Sequence, residues 1–128
     1  MIDKKKHAIL IVDDDRTNRE SLANYLADEY TTFKASDGLE ALNVLREKKE
    51  IVLVLSDVDM PSMDGIELLH SIRGEKKDVK VIFVSSNYSY GSDTDLRISG
   101  AYDFLPKPID LNHLMKTLRN ALDSVPLG

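Results

Sequence analysis

The chain contains no cysteine, which excludes disulfides, thiol chemistry and cysteine-ligated zinc. Long apolar runs are missing as well. The first run, Ala8–Val12 (AILIV), follows a polar start and is far too short for a signal peptide or a membrane span. There are no internal repeats and no low-complexity segments. Positive charge is not in excess: 17 Lys and Arg stand against 22 Asp and Glu, a formal net charge of −5. That balance argues against a nucleic-acid-binding surface. These absences together point to a cytoplasmic chain that touches neither membrane nor nucleic acid.

What is present suits one domain. With 128 residues, 42% hydrophobic and 30% charged, the chain can bury a core without disulfides or a structural metal. Residues 1–128 read as a single domain, with 1–6 a polar leader and 124–128 a tail or the start of a linker.

The centre of the pattern is Ile51–Gly65, IVLVLSDVDMPSMDG. Its apolar start is short, rich in branched side chains and bounded by turn residues, the signature of a strand buried on both faces. Ala8–Val12 and Val79–Val84 read as two further buried strands. Thr31–Ala35 reads as a weak strand at a sheet edge, and Tyr102–Leu105 as a short last strand. Helices are predicted between them. Thr17–Ala27 carries Leu22, Tyr25 and Leu26 at helical spacing. Ser36-Asp37-Gly38 starts a second helix with Ala41, Leu42 and Leu45 on one face. Asp64-Gly65 opens a third with Ile66, Leu69 and Ile72 inward, closed by Gly74. Asp110 caps a last helix whose Leu111, Leu114, Met115, Leu118 and Leu122 recur at +3, +4, +7 and +11. Between Asn87 and Ser99 the composition resists a helix; Ser92 or Asp93 predicts a late start and a short element ending before Gly100.

Strand–helix alternation of this kind demands a parallel sheet with helices on both faces, wound right-handed. The expected architecture is α/β, a doubly wound five-stranded sheet of order 2-1-3-4-5, flavodoxin-like. In that order the first and third strands are central neighbours, so Asp13, Asp14 and Asp57 meet at the carboxyl edge where open sheets bind ligands. Three adjacent carboxylates repel, by about 4 kcal/mol per pair at 4 Å and an effective dielectric near 20. Such a cluster takes up protons or a cation. Oxygen-only donors favour Mg²⁺, with Mn²⁺ the alternative. Ser85 and Lys107 end the fourth and fifth strands at the same edge. A hydroxyl and an ammonium facing a metal-bound carboxylate are the parts needed to stabilise an incoming phosphoryl group. Asp57, at the middle, is the expected nucleophile, forming an acyl phosphate.

This pattern resembles the response-regulator receiver domain of two-component signalling. The matching segments are IVDDD at Ile11–Asp15, SDVDMPSMDG at Ser56–Gly65, the pair Ser85-Ser86, and GAYDFLPKP at Gly100–Pro108. The resemblance implies that Asp57 accepts a phosphoryl group from a histidine kinase or histidine phosphotransfer protein. It implies Mg²⁺ bound by Asp14, Asp57 and the backbone carbonyl of Asp59, with Asp13 acting mainly through water. It implies that Lys107 contacts the phosphoryl oxygens and that the Lys107-Pro108 peptide is cis. Ser85 and Phe104 would form the switch pair, and an unknown downstream effector would bind the fourth helix, fifth strand and last helix. The domain would be no enzyme beyond its own phosphorylation and dephosphorylation. Ser85 stands where Thr is more frequent, Ser86 where Ala is usual, and Phe104 where Tyr is frequent. Asp59 and Asn87 occupy variable positions beside the phosphoryl group.

Two other readings use part of the same residues. Asp57-Val58-Asp59 is a DxD like that of Mg²⁺-dependent haloacid-dehalogenase-type phosphatases, but there it ends the first strand and an acidic pair follows the lysine. A degenerate receiver serving only as a binding module would not need Asp13, Asp14, Asp57, Ser85 and Lys107 together. His7, His70 and His113 have no paired catalytic residue and read as structural or surface groups.

Overall fold

In a computed structural model, residues 6–58, 60, 63–75, 78–85 and 100–126 are described. They form five strands, β1 (Ala8–Val12), β2 (Thr31–Ala35), β3 (Ile51–Asp57), β4 (Lys80–Ser85) and β5 (Asp103–Pro106). Four helices accompany them: α1 (Arg16–Leu26), α2 (Gly38–Glu47), α3 (Gly65–Glu75) and α4 (Leu111–Leu122). All paired strands are parallel, in the order β2-β1-β3-β4-β5. The doubly wound, flavodoxin-like α/β fold is therefore observed, with the weak strand β2 at an edge. The predicted helix between Asn87 and Ser99 lies outside the described residues.

The sheet separates two apolar layers because successive side chains of a strand point to opposite faces. On one face Leu10, Val12, Val54, Val81, Phe83 and Phe104 pack with Leu42 and Leu45 of α2 and Leu68, Leu69 and Ile72 of α3. On the other, Ile9, Ile11, Leu53, Leu55, Ile82, Val84 and Leu105 pack with Ala23 and Leu26 of α1 and Leu114, Leu118 and Leu122 of α4. Strand β3 carries one extra residue at its start. Ala8 pairs with Ile51 but Ile9 pairs with Leu53, so Val52 forms a bulge.

Each helix is started by an aspartate whose carboxylate accepts backbone N–H groups that the first turn leaves unpaired. Asp15 accepts from Asn18, Asp37 from Glu40, Asp64 from Glu67, and Asp110 from Asn112 and His113. In α1 the cap is the third aspartate of the Asp13-Asp14-Asp15 run, which leaves the first two for the sheet edge.

Several sequence expectations need correction. Tyr25 and Leu111 share the helical spacing of the buried residues, yet they are 45% and 41% exposed. Both sit at the rim of the α1/α4 layer, where Ala23, Leu26 and Leu114 already fill the face. Ile66 is half-buried but does pack against the α2/α3 layer, beside the fully buried Leu68, Leu69 and Ile72. Gly74 does not close α3, which runs on to Glu75; Arg46 of α2 holds that glutamate with contacts of 2.7 and 2.8 Å. Strands β4 and β5 each begin and end one residue later than the apolar runs suggest.

Candidate functional site

The register of the sheet assembles the site. Val12 of β1 pairs with Ser56 of β3, so the next residues, Asp13 and Asp57, leave the sheet side by side. Asp57 pairs with Val84 of β4, and Ser85 is one step beyond. Ser85 pairs with Pro106 of β5, and Lys107 follows; its N–H donates to the Ser85 carbonyl at 3.0 Å. Asp13, Asp57 and Lys107 extend the rows Ile9–Ile11, Leu53–Leu55 and Leu105, all belonging to the α1/α4 face. Alternation therefore points them to one side.

Carboxylate oxygens of Asp13, Asp14 and Asp57 lie within 4.8 Å of one another. Asp13 is buried, Asp57 half-buried and Asp14 exposed. The Lys107 ammonium stands 3.0 Å from Asp57 Oδ2 and 3.8 Å from Asp13 Oδ2. Asp13 is fixed from three directions: its Oδ1 accepts from the Asp15 N–H at 2.9 Å, its carbonyl accepts from Arg19 Nη1 at 2.8 Å, and its N–H donates to Ala35 at 3.2 Å. Arg19 carries no signal in the sequence that would have singled it out; only the return of α1 along β1 brings it there.

The electrostatics follow from these distances. Burial pushes the Asp13 carboxyl above its ordinary pKa; the Asp15 N–H and Lys107 oppose the rise, and the charges of Asp57 and Asp14 add to it. Burial alone would lower Lys107, but the hydrogen bond to Asp57 and the charges of Asp57, Asp13 and Asp14 outweigh it, so its pKa is raised. Lys107 is held cationic between Asp57 and Asp13. One ammonium does not balance three carboxylates. The donor set, oxygens only and converging, fits a small hard divalent cation.

Of the other residues singled out by sequence, Ser85 is buried, 1% exposed, at the end of β4. Phe104 is buried too, paired with Phe83 in the α2/α3 layer. The Lys107-Pro108 peptide is cis, as the resemblance implied. Asp59, Ser86 and Asn87 lie outside the described residues. His70 and His113 are exposed on α3 and α4, and His7 Nε2 lies 2.6 Å from the Val125 carbonyl, far from the carboxylates in the fold.

Beside Asp13 and Lys107 a groove of about 360 Å³ runs between α1 and the start of α4. Leu22, Tyr25, Ile109 and Leu111 line it. Among the described residues no helix is long and apolar enough to cross a membrane.

Known proteins resemble this chain in sequence and fold. The family described as "Response regulator receiver domain" matches residues 9–119. Response regulator MprA of Mycobacterium tuberculosis is 38% identical over 115 residues, covering 89% of this chain and 50% of that protein. The chain thus spans about half the length of the curated relatives it matches. Among solved structures, a response regulator receiver protein from Pseudomonas putida superimposes with a TM-score of 0.84 at 30% identity, covering 91% of this chain and 98% of that one. The receiver domain of the Saccharomyces cerevisiae response regulator Ssk1, solved with the histidine phosphotransfer protein Ypd1, gives 0.83 at 25% identity, covering 94% and 93%. The haloacid-dehalogenase reading falls with these matches, and the chain belongs to the receiver-domain family of two-component response regulators.

Proposed function

We propose that Asp57 is the phosphoacceptor and that the phosphoryl donor is the phosphohistidine of a histidine kinase or histidine phosphotransfer protein. An oxygen of the Asp57 carboxylate attacks phosphorus, the P–N bond to the donor imidazole breaks, and the ring nitrogen leaves with the electron pair. An acyl phosphate results, and attack by water returns Asp57 and inorganic phosphate. The observation that carries this reading is the 3.0 Å contact between Lys107 Nζ and Asp57 Oδ2 inside the carboxylate cluster. An ammonium already seated on the nucleophile's oxygen is placed to follow the charge onto phosphoryl oxygens, without reorganisation.

Asp14 and Asp57, with the Asp59 carbonyl and with Asp13 acting through water, would hold Mg²⁺ or Mn²⁺. The ion would supply the counter-charge that lets a dianionic phosphoryl group approach three aspartates. Asp13, buried and fixed by Arg19 and Asp15, orients the others. Ser85 and Phe104 would respond as the switch pair. Self-phosphorylation and self-dephosphorylation are the extent of the catalysis proposed.

The donor would dock over the groove between α1 and α4. Leu22, Tyr25, Ile109 and Leu111 offer apolar contact there, directly beside Lys107. The receiver domain of Ssk1 was solved with such a phosphotransfer protein, and a partner of the same kind suits this chain. The downstream effector would bind the face that includes β5 and α4. The chain would act in the cytoplasm, its residues 1–128 forming one receiver domain.

Incubation with acetyl phosphate and Mg²⁺, followed by mass spectrometry, tests the assignment. The unaltered protein is expected to gain one phosphoryl adduct and Asp57→Asn none. An undiminished adduct on Asp57→Asn would place the chemistry elsewhere.

A further inference from the structure

We infer that Gly38, the first residue of α2, is a positioning residue for Asp57: it leaves the space that Met63 fills, and Met63 holds the start of α3 against the Asp57 backbone. The inference rests on the phosphotransfer reading above.

Glycine at position 38 is unfavourable for a helix on propensity alone. Its backbone does not ask for it either; among the described glycines only Gly100 has a positive φ. The requirement is space. A Cβ on Gly38 would lie 2.8 Å from Met63 Sδ and 2.9 Å from both Met63 Cβ and Cγ. Because the Met63 Cβ is among these atoms, a new rotamer of the thioether cannot relieve the clash. Either α2 or the backbone at Met63 must move.

Helix α2 resists moving. Asp37 caps it, accepting from the Glu40 N–H at 2.8 Å, while Glu40 Oε1 accepts from the Ser36 N–H at 2.5 Å. Ala41, Leu42 and Leu45 are buried in the core. The far end is tied to α3 through Arg46 and Glu75. A methyl group at position 38 therefore displaces Met63.

Two residues on, Gly65 has no slack. Its N–H donates to the Val58 carbonyl at 2.8 Å. A Cβ there would be 2.7 Å from the Phe83 ring and 3.0 Å from both the Asp57 carbonyl oxygen and Val58 Cα. The start of α3 thus lies flat against the peptide that carries the phosphoacceptor. Displacement of Met63 passes through Asp64 and Gly65 to Asp57 and Val58.

The test is a cycle of Gly38→Ala and Met63→Gly, with Gly74→Ala as control because nothing lies within 4 Å of a Cβ there. Three readouts apply: the labelling rate with acetyl phosphate at saturating Mg²⁺, the amide resonances of Val58 and Gly65 in metal-free protein, and the melting temperature. Gly38→Ala is expected to shift both resonances and to slow labelling about tenfold, since misplacement by about 1 Å can cost about a hundredfold. In the Met63→Gly background the same substitution should change neither. Gly74→Ala should change neither. A merely structural role would lower the melting temperature while the folded protein kept its labelling rate; that result overturns the inference. So does slowing of equal size in both backgrounds. If Gly38→Ala fails to fold, Met63→Gly alone decides: faster hydrogen exchange at the Gly65 amide with slower labelling supports the inference, and unchanged exchange and rate overturn it. Absence of labelling in the unaltered protein would instead remove the phosphotransfer reading itself.

Discussion

Lys107 and Asp57, fifty positions apart in sequence, meet at 3.0 Å with the lysine on a half-buried carboxylate. Lys107→Ala should separate binding from response. Acyl phosphate still forms, more slowly, because one fixed counter-charge is gone. The conformational or partner-binding response is expected to weaken more than the labelling. The check is to compare both in one preparation; a full response in this variant would show that the metal and Ser85 suffice. Its raised pKa means the lysine's stabilising contact is complete below 10.5, the ordinary lysine value, and is lost only as pH rises through the higher folded value.

Asp13 has the opposite consequence at neutral pH. Its carboxyl is raised from 3.8, chiefly by burial. The fold therefore favours its neutral form, and the contribution is fully present below 3.8 and lost as pH rises through the folded value. Asp13→Asn should make the metal-free protein more stable at neutral pH, with the difference vanishing under strongly acid conditions. Melting curves in chelator across pH decide this; a constant difference at every pH would refute it.

Mg²⁺ should stabilise the domain by mass action, by about 2.7 kcal/mol at one hundred times its dissociation constant. Asp14→Ala should remove most of that gain. A variant at Asp14 that keeps the full Mg²⁺-dependent rise in melting temperature would exclude it as a ligand.

Two glycines of α3 predict opposite signs. Gly65→Ala forces a methyl to 2.7 Å from the buried Phe83 ring, and overpacking of that kind costs about 1–3 kcal/mol. Gly74 is exposed inside the same helix with open space around it. Gly74→Ala should stabilise by about 0.5–1 kcal/mol. Chemical denaturation of the two variants side by side is the measurement.

Much of this was legible in the sequence because the apolar runs are unbroken. AILIV, IVLVL and VIFV can only be buried strands, and the aspartates that follow them mark the carboxyl edge. The inward helix residues Ala41, Leu42 and Leu45 followed from spacing alone. Tyr25 and Leu111 did not, because spacing gives a face and not the width of the layer beneath it. Arg19 on the Asp13 carbonyl, Arg46 on Glu75, and Met63 over Gly38 were invisible for another reason. Each joins residues whose proximity depends on how helices settle against the sheet, and no local pattern encodes that.

The bulge at Val52 has a consequence for which changes of length the site tolerates. Side chains of a strand obey parity: odd positions face one way and even positions the other. Val52 is the extra residue that resets this count, so that Leu53, Leu55 and then Asp57 fall on the side of Ile9, Ile11 and Asp13. Deleting one residue beyond the bulge, between Leu53 and Asp57, would invert the count downstream. Asp57 would then turn toward the α2/α3 layer, and its neighbour Val58 would face Lys107. The connecting loops can lengthen or shorten by single residues; beyond its bulge this strand can do so only in pairs.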